Sequence, residues 1–202
     1  MRLDFDSLAP REAYGWITAT VLPRPIAWVS TLSPGGVTNL APFSFFQGIT
    51  GNPPTLMFSP VNDRHGNPKD TARNVEATGE FVVNLVSFDL RGPMNQSAAT
   101  LPYEESEFEK FAIKTAPSER VKPPRVAAAP VAFECRLHTI VPIGEGPMAA
   151  RVIFGRILMM QVADDVLGPD GKPDPGKLDL IGRLGGEGYA RTTDRFNLKR
   201  PD

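Results

Sequence analysis

The stretch from Arg24 to Phe46, RPIAWVSTLSPGGVTNLAPFSFF, constrains the fold most, because it reads as two antiparallel strands joined by a tight turn. β-Branched and aromatic residues run up to Ser30 and Thr31. Ser33-Pro34-Gly35-Gly36 then reverses the chain, and Val37-Thr38-Asn39-Leu40-Ala41 leads back. The mouth of this hairpin is lined with hydroxyls. Just beyond it, Pro42-Phe43-Ser44-Phe45-Phe46 sets a short polar side chain among large rings, and the proline removes one backbone donor while leaving its neighbours free. A flat, partly polar ligand suits such a surface.

The same punctuation continues along the chain. Its 21 prolines and 18 glycines are spread over all 202 residues, which argues against a helical bundle and for short strands joined by turns. Further strands are expected at roughly 55–60 and 81–86, with two long ones at roughly 131–141 and 151–162 around the Pro142-to-Pro147 hinge. Pro10 can open a helix reaching about Thr20. A second helix starts with Asp70 or Thr71 as its cap and stops at Gly79. Residues 88–110 read as helical and irregular. Their acidic run, Glu104, Glu105, Glu107 and Glu109, is expected to be a solvated face, since no histidine accompanies it to make a metal site. Alternation puts Phe133, Cys135 and Leu137 on one strand face, with Glu134, Arg136 and His138 on the other, so Cys135 is expected to be inert core. With no repeat and no linker, residues 1–202 read as a single mainly-β domain with short α additions, a small Greek-key barrel. A parallel sheet would need a regular strand–helix alternation that is absent.

Composition excludes several functions. Twenty-two basic and 23 acidic residues are interspersed, for a net charge of -1, which leaves no electrostatic footprint for nucleic acid or an anionic membrane. One cysteine excludes an intrachain disulfide and a cysteine-rich metal centre. The N-terminal stretch lacks an apolar core of signal-peptide type, and no segment is apolar enough for a membrane span, so the expected location is cytoplasmic. His65 and His138 lie in a loop and on a strand, without a GxSxG or HExxH pattern, so no catalytic residue and no metal ligand is assigned. GxGxxG and GxxxxGK[ST] are also missing. A distributed phosphate site takes their place: the Lys69 cation, the Thr71 hydroxyl and the unpaired amides of the helix start suit a dianionic phosphomonoester.

Taken in order, RPIAWVST, Gly35-Gly36, NLAPFSFF, NPPTLMFS, KDTARNV, GEFVVN, MNQSA at Met94 to Ala98, PPRV, PVAFEC and RLGGEGYA resemble the flavin reductase-like family of FMN-binding split-barrel proteins. The likeness runs from about Leu22 to Tyr189. It implies an antiparallel split barrel, a homodimer, and FMN near the subunit interface. By that resemblance Trp28, Ser30 and Thr31, with Asn39, Ala41, Pro42, Phe43 and Ser44, border the isoalloxazine ring and ribityl chain. Ser59, Lys69, Asp70 and Thr71 lie around the ribityl and phosphate. Arg24 is a second candidate cation, although a structural arginine between two prolines fits the sequence as well. Arg183, Gly185, Gly186 and Tyr189 shape the face where nicotinamide stacks. The resemblance leaves two classes open. One is an NAD(P)H:flavin oxidoreductase that feeds a partner monooxygenase or another acceptor; the other is a flavoredoxin-like electron carrier that never binds pyridine nucleotide. A heme or pyridoxal-type binder on the same barrel is a third, weaker alternative.

Overall fold

A computed structural model describes residues 1–201. After α1 (Pro10–Thr20), β1 (Arg24–Pro25) and β2 (Ala27–Leu32) are separated by Ile26 alone, and β3 (Thr38–Phe43) returns antiparallel to β2. The turn between them needs its glycine: Gly36 has φ +85°, and Ser33 closes the loop by exchanging backbone bonds with Val37 and Gly36. A second hairpin follows, β4 (Phe46–Gly51) with β5 (Pro54–Phe58). Then come α2 (Asp70–Thr78), β6 (Glu80–Asn84), α3 (Arg91–Gln96), α4 (Glu107–Lys110), and the short pair β7 (Thr115–Ala116) and β8 (Arg125–Val126). The long hairpin of β9 (Val131–Ile143) and β10 (Ala150–Val162) precedes α5 (Pro175–Leu178), β11 (Ile181–Arg183) and β12 (Tyr189–Arg191).

Seven strands form one antiparallel sheet in the order β3-β2-β6-β9-β10-β5-β4, and β1, β11 and β12 form a small second sheet. The two edge strands of the large sheet, β3 and β4, are joined by only Ser44 and Phe45. Two intervening residues span at most about 10 Å, so the sheet must curl until its edges meet. The result is a barrel with one unpaired seam, between β3 and β4. After β2 to β5 the chain crosses through α2 to lay β6 beside β2, which is the Greek-key connection expected from the sequence.

Alternation along β2 divides the apolar residues between two sides. Ala27 and Val29 face the barrel interior with Leu56, Phe58, Phe81 and Ile153, where the Phe58 ring stands 5.4 Å from Phe43 and 5.3 Å from Phe81. Trp28 faces outward with Leu40, Val86, Met94 and Phe108, and this outer cluster seats α3 and α4 against β2 and β3. Cys135 is buried in the inner cluster and burial pushes its thiol far above the ordinary range, in keeping with inert core. Both histidines are exposed, as their positions predict.

Three expectations need correction. Glu104, Glu105 and Glu109 are solvated, but Glu107 is buried and accepts from the Leu40 N–H at 2.8 Å, because an edge strand offers donors that a nearby carboxylate can satisfy. Neither Asp70 nor Thr71 caps α2. Lys69 occupies the cap position, and its side chain makes no cap bond. Strand β4, absent from the sequence reading, is held by its register with β5. In addition, the polar face of β9 is not all solvent-facing: Glu134 is fully buried and accepts from the Glu119 and Arg120 amides and from Gln161 Nε2.

Candidate functional site

A cleft of about 900 Å³ opens where the β3 edge, the start of α2, the 63–69 loop and the segment 97–107 converge. Its apolar wall is Ala41, Pro42 and Phe43. Pro42 has no N–H, so on this unpaired edge the strand presents carbonyls and rings with one fewer exposed donor. The polar end is built by α2. Lys69 is exposed and forms no ion pair among the described residues, whereas Asp70 pairs with Arg73 at 3.1 Å. With no side-chain cap, the start of the nine-residue α2, which carries the helix's positive dipole end, lines the cleft through Asp70 and Thr71 next to Lys69.

Behind this surface lies a buried network. Asn39 Nδ2 donates to Thr71 Oγ1 at 2.9 Å and to Thr31 Oγ1 at 3.3 Å; Asn74 Nδ2 also donates to Thr31, at 3.0 Å. The Tyr103 hydroxyl donates to Asn74 Oδ1 at 2.7 Å, and the Arg73 guanidinium lies over the Tyr103 ring at 4.0 Å. Such interlinked polar groups fix the wall in one arrangement. The 63–69 loop is shaped by Asp63, whose carboxylate accepts from the His65 and Asn67 amides. Those bonds, the Asn67 amide's above all, hold it below its ordinary range. Gly66, at φ +84°, lets the long hairpin pack on the loop, since a Cβ there would lie 3.1 Å from the Gly146 backbone.

Of the residues expected around a cofactor, Asn39, Ala41, Pro42, Phe43, Lys69, Asp70 and Thr71 line this one cleft. Others stand behind it. Trp28 is fully buried and donates through Nε1 to Ser97 Oγ at 2.8 Å, supporting a cleft residue rather than touching a ligand. Thr31 belongs to the network above. Ser30 donates to the Pro124 carbonyl and is fully buried. Ser59 bonds the Phe45 carbonyl through its amide and lies outside the lining. Arg24 is a structural arginine: its guanidinium donates to the carbonyls of Thr18, Val21 and Leu184 and to Ser44 Oγ. Burial pushes its pKa down, yet the ring of carbonyls keeps it inside.

Arg183 and Tyr189 stack at 4.5 Å in a separate hollow of about 660 Å³, with Phe88, Arg91 and Arg191. Gly185 packs on α1, where a Cβ would lie 3.3 Å from Ala19 Cα. Within one chain, therefore, the residues expected at the nicotinamide do not share the cleft. Arg64, Arg73, Tyr103 and Glu107 line the cleft without having been assigned to it from the sequence. The MNQSA motif carried a signal for its Ser97 and Ala98; the acidic run carried none.

The comparisons with known proteins fit this geometry. Residues 19–175 match the flavin reductase like domain model, and the chain belongs to that family. An uncharacterized protein of Halalkalibacterium halodurans is 41% identical over 203 residues, covering 100% of this chain and 97% of its own. Among solved structures, nitrilotriacetate monooxygenase component B from Bacillus cereus superposes with TM-score 0.92 at 32% identity, covering 98% of each chain. The 2-nitrobenzoate 2-nitroreductase of Pseudomonas fluorescens gives TM-score 0.87 at 30% identity, covering 100% of this chain and 96% of its own. The fold is thus the split barrel of flavin reductase-like proteins. No helix among the described residues is long and apolar enough to cross a membrane, and no group of three or more metal-ligating side chains occurs among them.

Proposed function

We propose that this protein is an FMN-binding NAD(P)H:flavin oxidoreductase. The observation that carries the reading is the pairing of an ion-pair-free Lys69 with the uncapped start of α2 at one end of a cleft whose other wall is Ala41, Pro42 and Phe43. A phosphomonoester suits the first, since helix-start amides and an ammonium are both donors to a dianion; a flat ring suits the second. FMN has both parts, and when bound it supplies the hydride-accepting ring. The chain's own residues then have three tasks. Lys69, Thr71 and the α2 amides hold the phosphate, the Asn39–Thr31–Asn74 network keeps the wall rigid, and the aromatic lining excludes water. No acid–base pair is required of the protein for hydride transfer.

A homodimer fits the reading, because the seam between β3 and β4 and the half-exposed Ile49, Val141 and Ile143 need cover. The likeness to a monooxygenase component B supports a role in supplying reduced flavin to a partner oxygenase.

Purified protein should be yellow, release FMN on acid treatment as judged by mass, and sediment at twice the 22.0 kDa chain mass. Its flavin should bleach anaerobically within minutes of adding NADH or NADPH. A second reading, a flavoredoxin-like electron carrier, draws support from the separation of Arg183 and Tyr189 from the cleft. Flavin that bleaches with dithionite but with neither nucleotide would establish it instead.

A further inference from the structure

The hollow between the start of α3 and the β11–β12 hairpin has a chemistry unlike that of the cleft. Three arginines line its volume of about 660 Å³: Arg91, Arg183 and Arg191. Each is held in place by an aromatic ring. The guanidinium carbons of Arg91 and Arg191 lie 4.0 and 4.1 Å from the Phe88 ring centre, so they are no more than about 8 Å apart, and that of Arg183 lies 4.5 Å over Tyr189. Backbone carbonyls tether two of them further: Arg91 Nη1 donates to Phe88 O at 2.7 Å, and Arg183 Nη2 donates to Gly186 O. Side chains stacked and tethered in this way lose little more freedom when they bind a ligand.

Their charge is only partly matched. Arg191 gives Nε and Nη2 to the Asp179 carboxylate, which leaves Nη1 for another acceptor. Arg91 and Arg183 pair with no carboxylate among the described residues. Glu187, the one carboxylate in the lining, is exposed and pairs with none of the three, and Asp89 next to Phe88 is also exposed. Three gathered cations with one engaged partner repel one another, and an oxyanion would relieve that repulsion while accepting from the planar forks. The rest of the wall is apolar, with Met94 and Ile181 only 2% and 5% exposed. A bare anion would leave that part wet; a flat carbon body would cover it.

We propose that this hollow is a second ligand site, taking a flat aromatic molecule that carries an oxyanion, either a carboxylate or a phosphate. It stands apart from the reading of the cleft as a flavin site, since none of its residues lines the cleft. The nicotinamide ring expected here from the family resemblance suits the hollow poorly, because that ring bears no oxyanion and is itself cationic when oxidised.

The test is calorimetric titration of the purified protein at low ionic strength with benzoate and with adenosine 2′-phosphate, beside their uncharged counterparts benzamide and adenosine and beside inorganic phosphate. The two aromatic anions share the chemistry and separate its sources, a carboxylic acid or a nucleotide. At least one should bind with a dissociation constant below ~1 mM, about tenfold or more tighter than its uncharged counterpart and than inorganic phosphate. Arg91→Ala and Arg183→Ala should each weaken that binding about tenfold, and Glu187→Gln should strengthen it a few fold. Arg136→Ala, which removes an exposed arginine of β9 outside the hollow, should leave it unchanged. Thermal midpoints confirm that each variant is folded; should Arg183→Ala not fold, Arg91→Ala and Glu187→Gln decide, both being changes of exposed side chains. No binding of either aromatic anion at ~10 mM overturns the proposal, as does affinity no greater than that of the uncharged counterpart or of inorganic phosphate. Binding undiminished in Arg91→Ala puts the anion elsewhere, and an equal loss in Arg136→Ala makes it a matter of net charge; either result also overturns it. Flavin content does not enter these readouts, so failure of the cofactor reading leaves the test intact.

Discussion

Asn39 donates its side-chain amide to Thr71 Oγ1 at 2.9 Å, tying the edge strand β3 to the first turn of α2. The apolar wall and the α2 end of the cleft are thereby one unit, because the same amide also reaches Thr31 on β2. Asn39→Ala leaves the buried Thr71 hydroxyl short of a donor, while Thr31 keeps Asn74, at a cost of about 1–3 kcal/mol. Urea denaturation should show that loss, and FMN affinity should fall with it. Unchanged flavin binding would show that the tie supports the barrel alone.

Lys69→Ala should weaken FMN far more than riboflavin, since a charge-assisted phosphate contact contributes about 1.5–3 kcal/mol and riboflavin has no phosphate. Lys69 is exposed, so the fold should be unaffected. Paired titrations with both ligands check this; equal losses place Lys69 away from the phosphate.

Arg24→Ala should destabilise the protein by at least about 2 kcal/mol, through loss of a guanidinium that bonds the carbonyls of Thr18, Val21 and Leu184. These bonds fasten α1 and the segment after β11 onto the barrel. Arg24→Lys should recover little, because an ammonium cannot reproduce the planar fork. A thermal midpoint close to wild type in Arg24→Ala would contradict this.

The buried Glu107 carboxyl leaves a mark on stability. Burial raises the folded-state pKa of Glu107 above its ordinary 4.5. The unfolded chain therefore ionises first. The contribution is full below 4.5 and is lost as pH rises toward the folded value. Glu107→Gln removes this dependence, so its unfolding free energy relative to wild type should improve steadily from pH ~4.5 to ~7. A constant difference over that range would mean that Glu107 titrates normally.

The β2–β3 hairpin and α2 are legible in the sequence because local chemistry fixes them: glycine at Gly36 and Gly79, both at positive φ, marks the turn and the helix end. The cleft residues on those elements follow, as does the buried Cys135 from alternation on β9. Strand β4 is not legible, since FQGITG has few apolar side chains and takes its conformation from β5. Glu107 hides in an acidic run because its burial depends on Leu40, sixty-seven positions earlier. Arg24 finds a partner at Leu184, 160 positions away, which no local pattern records. The outward-facing neighbours of a strand are readable one at a time, but their partners are not.

Every residue of the cleft, from Asn39 to Glu107, is encoded before β9 begins. The sheet beneath it nevertheless waits for later strands: β6 needs β9 along its second edge, and Phe58 on β5 pairs with Ile153 on β10. Closing the barrel therefore means closing a loop of about a hundred residues, a step that is slow and late in proteins of this topology. During synthesis the half-made chain carries the complete set of cleft-lining side chains on two sheet fragments, β3-β2-β6 and β4-β5, whose open edges are exposed to wrong pairing. A chain cut before Ala150 should keep all of those side chains and hold no flavin, because the cleft is a property of the closed sheet rather than of the segment that lines it.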